Sequence, residues 1–188
     1  RLEQLTAANG IAHEGAHDAL SDVRATIALA RLIRDRQPKM FEYLLERRDK
    51  HCLSDVLNVR RQQPVLHVSA RYPAKLGCIA TVLPLATHPI NRNGVIVYDL
   101  RYDPRPLLSL SAEQIRARLY TPKALLAENE VRIPLKTVHL NRSPVVVPMN
   151  TLTDAARTEW QMDEQAERRH RQQLISASGL QEKLHKVF

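Results

Sequence analysis

The sequence predicts an α+β chain. Helices come first, then a small antiparallel barrel or curled sheet, with further helices inside and after it. Three observations lead there. The stretch from Asp18 to Arg36 is rich in Ala and Leu, which favour helix. Between Val65 and Val147, short β-branched segments are separated by turn signals at Tyr72-Pro73, Asn93-Gly94 and Asp103-Pro104. Apolar residues make up 44% and charged residues 26%, a balance that argues against disorder.

Taken in order, Leu2 to Asn9 reads as a short helix stopped by Asn9-Gly10. A loop over Ile11 to Ala16 precedes the Asp18–Arg36 helix. Pro38 fits the first turn of another helix over Lys39 to Arg48, with Met40, Phe41, Leu44 and Leu45 as its apolar stripe. Cys52 to Leu57 reads as one more helical turn. Strands are expected over Val65–Val68, Ile79–Leu85, Val95–Tyr98, Ile133–Leu140 and Val145–Val147. Ser111 to Leu119 opens with Ser and has Gln three residues on, a capping box. The polar stretch Asp154 to His170 and the segment Leu180 to Val187 are the last helices, and Glu164 to Arg171 reads as a solvated helix face. Trp160 and Phe188 read as packing residues.

The 188 residues hold 28 Lys+Arg against 20 Asp+Glu, a net charge of +8. Residues 1 to 37 hold five of each sign, so the whole excess lies after Gln37. The charge break coincides with Gln37-Pro38, a helix boundary, and divides the chain into domains 1–37 and 38–188. Only two cysteines, Cys52 and Cys78, are present. A disulfide scaffold is excluded and both read as reduced thiols. No apolar run reaches the roughly 18 residues of a membrane span, and no signal peptide opens the chain. The expectation is a soluble, cytoplasmic monomer with no membrane partner, and the positive balance favours polyanions. Without an initiator Met, the chain reads as a piece of a longer protein.

One segment carries chemistry: His13-Glu14-Gly15-Ala16-His17-Asp18-Ala19-Leu20-Ser21-Asp22-Val23. On a helical projection from Asp18, the Arg24, Arg31 and Asp35 positions cluster, and Asp22 falls roughly 160° away, in line with Leu29 and Ile33. A carboxylate on an apolar face needs a cation or several donors, and Mg²⁺ or Mn²⁺ meets that need. His17 can share a cleft with Asp22 if the helix begins at Asp18, and a histidine there could activate a metal-bound water. The bland reading stands beside it: Asp18 or Asp22 favours the helix N-terminus through the dipole, and His17 is an ordinary hydrogen-bonded histidine. A zinc pair at His13 and His17, or the His17-Asp18 dipeptide of HD-type phosphohydrolases, lacks its further ligands.

The run His17 to Val23 with its Ala-rich helix resembles the last motif of the DnaQ-like 3′–5′ exonucleases. Leu5 to Ile11, Arg36-Gln37-Pro38, Leu66 to Ser69, His88 to Asn93 and Arg118 to Thr121 are similar to the bacterial exonuclease I family. The resemblance implies that residues 1–37 are C-terminal helices of a ribonuclease H-like exonuclease domain. It implies that residues 38–188 are an SH3-like antiparallel barrel with added helices. His17 would be the general base and Asp22 a metal ligand in two-metal hydrolysis of single-stranded DNA to 5′-mononucleotides, with two Mg²⁺ ions in the complete enzyme. The family's Asp-x-Glu pair and a further Asp would lie before residue 1, and a helical domain after Phe188. The chain alone is therefore expected to hold no metals and cleave no DNA. The resemblance also implies a DNA-gripping cleft and a groove for the acidic tail of single-strand DNA-binding protein. Tyr43 is the candidate for that groove. Thr153 stands where relatives can carry Arg, and Arg157 is the substitute.

Residues 47 to 75 hold seven cations against Asp49 and Asp55. Such cations give salt-dependent, sequence-independent affinity for DNA. Arg71, Tyr72 and Lys75, beside a turn, are the first candidates for DNA contact, with Tyr72 able to stack on a base. His88 and Arg92 come next, with a purely structural turn as the bland reading. A second function class remains open: a non-catalytic basic module binding single-stranded DNA or a protein partner. An Asp-x-Glu pair upstream of residue 1 would separate the two.

Overall fold

A computed structural model of the chain describes residues 2–13, 18–122, 125, 126, 130 and 132–188. Two compact units are present, residues 1–47 and 48–188.

The first unit holds α1 (Leu2–Ala8), α2 (Ala19–Arg36) and α3 (Pro38–Glu46). Gly10 takes φ +65° just beyond α1, as the Asn9-Gly10 stop requires. The Asp18 carboxylate accepts a hydrogen bond from the Ser21 N–H at 3.0 Å and caps α2. The bland reading of Asp18 is thus the observed one. Thr6 and Ala25 are buried, whereas Leu20, Val23, Ile27 and Ile33 of α2 are 57%, 55%, 46% and 44% exposed. Pro38 opens α3 inside this unit.

The second unit comprises α4 (Lys50–Val56), β1 (Val65–Val68), β2 (Ile79–Thr87), β3 (Gly94–Asp99), α5 (Arg105–Ser109), α6 (Ala112–Tyr120), β4 (Leu135–His139), β5 (Val145–Pro148), α7 (Asp154–Glu159), α8 (Glu164–Ile175) and α9 (Leu180–Val187). The five strands form one antiparallel sheet in the order β4-β3-β2-β1-β5. Its ladder is open, with β4 and β5 at the edges. A bulge between Pro84 and Ala86 bends β2 where proline can donate no ladder bond.

Both faces of the sheet are covered. Leu53 and Leu57 pack on Val65, Val82, Val97 and Val138, whereas Ile115, Leu119, Leu174 and Leu184 pack on Leu83, Ile96, Tyr98 and Leu135. That explains why β2 and β3 read as nearly continuous apolar runs instead of alternating. The capping box at Ser111 and Gln114 is present as expected.

Three features differ from the sequence reading. α5 was not foreseen. The Asp154–His170 stretch is two helices, broken where Gln161 takes φ +53°. The Glu164–Arg171 run is not uniformly solvated: Glu167 is buried, the His170 imidazole is 2.8 Å from the Leu100 carbonyl, and Arg171 Nε donates to the Gln62 carbonyl at 3.1 Å. The expected packing role of Trp160 is observed. A Cβ on Gly77, itself at φ +69°, would lie 2.8 Å from the indole Nε1.

The C-terminal helix is tied down from both sides. Lys183 Nζ donates to the carbonyls of Leu108 and Leu110 at 2.8 and 3.1 Å, with that of Leu107 at 3.5 Å. Arg116 donates to the carbonyls of Lys186 and Val187. Lys183 thereby satisfies the otherwise orphaned carbonyl end of α5. Lys183→Met is expected to lower unfolding free energy by about 2 kcal/mol, as read by urea denaturation.

Candidate nucleic-acid interface

β1 ends at Val68, and the Tyr72 N–H donates to the Ser69 carbonyl at 3.0 Å, turning the chain sharply. Pro73 then leads a 3₁₀ turn over Ala74–Leu76. The turn leaves Arg71 and Lys75 exposed and directs Tyr72 inward, against the Leu53–Val82–Val97 cluster. The Tyr72 ring stands edge-on to His67, centroids 5.6 Å apart, and Lys136 Nζ lies 4.6 Å from its centroid. Its hydroxyl is buried with no hydrogen-bond partner among the described residues. Burial, reinforced by the Asp99 charge, pushes that phenol far above its usual range.

Lys136 was not singled out from the sequence. It sits in β4 opposite Val97, so it shares the face that Tyr72 covers. Its side chain is half-buried, and burial first, then the positive charge of Arg71, lower its pKa to about 8. Among the described residues, no carboxylate pairs with Arg71, Lys75, Arg92 or Lys136. His67 lies beside Tyr72. Its Nδ1–H donates to the Val145 carbonyl at 3.0 Å, and burial holds its pKa down at about 4. It is therefore neutral at pH 7.

His88 and Arg92 occupy the β2–β3 hairpin. The His88 Nδ1 accepts from the Ile90 and Asn91 N–H groups at 3.2 and 3.1 Å, and its ring packs 5.3 Å from Phe188. Gly94 is needed here, because a Cβ would approach His88 Cβ to 2.8 Å. His88 thus builds the turn, and Arg92 is exposed at its tip.

The two groove candidates are both engaged within their own units. The Arg47 guanidinium lies 3.5 Å over the Tyr43 ring, and burial raises the Tyr43 phenol pKa. Arg157 faces Glu164 and Glu167, each at 3.9 Å. The Glu167 carboxyl is pushed up by burial, against the pull of Arg157 and Arg101.

In the first unit, Asp22 Oδ1 lies 2.7 Å from His13 Nε2, with side chains 42% and 4% exposed respectively. His17 lies outside the described residues. No group of three His, Cys, Asp or Glu that could hold a metal comes together among the described residues. One carboxylate already bound to an imidazole is a poor match for Mg²⁺, which demands near-octahedral oxygen donors. The described residues do not by themselves fit a divalent ion.

Residues 48–188 match the family model described as the exonuclease I SH3-like domain. Exodeoxyribonuclease I of Escherichia coli strain K12 is 49% identical over 152 residues, which are 81% of this chain and 32% of the relative. The whole chain superimposes on 40% of exonuclease I from Methylocaldum szegediense, with TM-score 0.95 and 48% identity. It superimposes equally, at TM-score 0.95 and 42% identity, on 40% of a zinc-bound Escherichia coli exonuclease I in complex with single-stranded DNA. The chain spans about a third of the curated relative's length.

Proposed function

Because the chain belongs to the exonuclease I family through its SH3-like domain, we propose that it is part of a 3′–5′ exonuclease that acts on single-stranded DNA. Within it, the second unit contributes sequence-independent affinity for the strand. The observation that carries this binding role is the set Arg71, Lys75, Arg92 and Lys136, cations without carboxylate partners among the described residues. Cations left unpaired on one unit are suited to phosphates. The printed description of the Escherichia coli relative as a complex with single-stranded DNA supports the same substrate class.

Cleavage is a different matter. Two-metal hydrolysis needs carboxylates around the ions, and Asp22 with His13 does not supply them. The residues in hand bind the strand and leave metal chemistry to donors outside the described set. A tail of single-strand DNA-binding protein would have to compete with Glu164 and Glu167 for Arg157.

The purified 188-residue chain should bind a fluorescent dT oligonucleotide in anisotropy titrations. In 10-minute to overnight incubations with Mg²⁺, it should release no 5′-mononucleotides. Absence of binding at low salt overturns the binding role, and stepwise 3′–5′ digestion overturns the claim of inactivity.

A further inference from the structure

We propose that Lys136 and Arg71 together form a subsite for one backbone phosphodiester of single-stranded DNA, with Tyr72 as its packed floor. This deepens the preceding reading and rests on it for the identity of the strand. It differs from the sequence expectation, in which Tyr72 stacks on a base.

Tyr72 is fully engaged by its own neighbours. Its ring is taken up by His67 on one edge and by Lys136 across it, and its hydroxyl points inward. A ring that carries Lys136 over one face and packs against the Leu53–Val82–Val97 cluster is poorly placed to stack on a nucleobase. It does hold the ammonium in place, because a cation over an aromatic face is attracted by the ring quadrupole.

Lys136 is drawn out of water by its position on β4 opposite Val97, and Arg71 follows from the turn that precedes Tyr72. Burial first, and the neighbouring Arg71 charge second, disfavour the Lys136 ammonium. The charged groups around them are His67, which is neutral at pH 7, and Asp99 and Arg101, which act on the Tyr72 hydroxyl. None of these neutralises Lys136. Among the described residues the pair lacks its counter-charge, and an entering phosphate supplies it to both cations at once. A partly desolvated ammonium gains more from an anion than a fully hydrated one.

The site distinguishes charge from base identity, and that sets the test. Lysines are labelled with limiting acetic anhydride at pH 8 and read by mass spectrometry. Lys136 should be labelled faster than Lys39, Lys50 or Lys75. A dT oligonucleotide should protect it, whereas an uncharged methylphosphonate oligonucleotide of the same length should not. K136M should weaken binding of the phosphodiester strand about tenfold, the loss of one charge-assisted contact, while melting no lower than the parent chain. Equal protection by both oligonucleotides, or an unchanged affinity in a folded K136M, overturns the subsite. If the parent chain binds no oligonucleotide, the DNA reading fails separately. Protection of Lys136 by inorganic phosphate then supports an anion site alone, and no protection by phosphate overturns that too.

Discussion

Raising the salt concentration fourfold should weaken single-stranded DNA binding by this chain about fiftyfold. If Arg71, Lys75, Arg92 and Lys136 each neutralise one phosphate, log K falls with log salt at a slope of about −2.8 on a single strand. That slope is an electrostatic count. It should be the same for dT and dA oligonucleotides, because none of the four residues is placed to read a base. Anisotropy titrations at four or five salt concentrations give it directly. A slope near zero, or a slope that depends on base composition, would mean that the cations are bystanders and that binding lies elsewhere. K136M should reduce the slope by about 0.7.

The second large effect is on stability in acid. The folded His67 has a pKa near 4 because burial disfavours its charged form, whereas an unfolded histidine titrates near 6.5. As pH falls below about 6.5, the unfolded chain therefore takes up a proton that the folded chain refuses. Unfolding is favoured progressively down to about pH 4, below which this group adds nothing more. The shift corresponds to about 3 kcal/mol in full. Asp99 and Glu167 work in the opposite direction, since burial raises both carboxyl pKa values and the folded state then binds protons more readily. The difference between the parent and H67F isolates the histidine. Urea midpoints between pH 7 and pH 4 should fall more steeply for the parent than for H67F. Parallel curves would show that His67 does not carry the acid sensitivity.

Local rules made much of the fold legible. Asn9-Gly10, the Asp18 cap, Pro38 and the Ser111–Gln114 box each act within a few residues, and each appears where the sequence places it. The strands were legible because their β-branched runs are bounded by turn residues. The break at Gln161 was not, because a glutamine in the left-handed region carries no glycine to announce it. The sequence allowed either a barrel or a curled sheet, since whether β4 meets β5 is decided by curvature over the whole sheet, and the ladder is open.

The site was less legible than the fold, for one physical reason. Sequence spacing reports neighbours along an element, but Lys136 meets Tyr72 across the sheet, far away in the chain. A lone lysine in a β-branched strand gives no sign that its partner is an aromatic ring. Arg157 looked available for the same reason: Glu167 reaches it only after the chain breaks and restarts in α8. Exposure of Arg71 and Lys75 was foreseen because their turn is local. The inward rotation of Tyr72 was not, because it depends on Leu53, Val82 and Val97 being assembled to receive it.

The sheet order has a consequence for synthesis. β1 pairs with β2 on one side and with β5 on the other. β2 follows β1 almost at once, but β5 is made last of the strands, after two helices and β4. At the usual roughly 5–20 residues per second, the newly made β1 keeps an open hydrogen-bonding edge for on the order of ten seconds. During that interval a four-residue segment of Val, Leu, His and Val is available to any other extended chain. Ribosome-borne chains of this domain should therefore be most vulnerable to mispairing between the emergence of β1 and that of Val145 to Pro148.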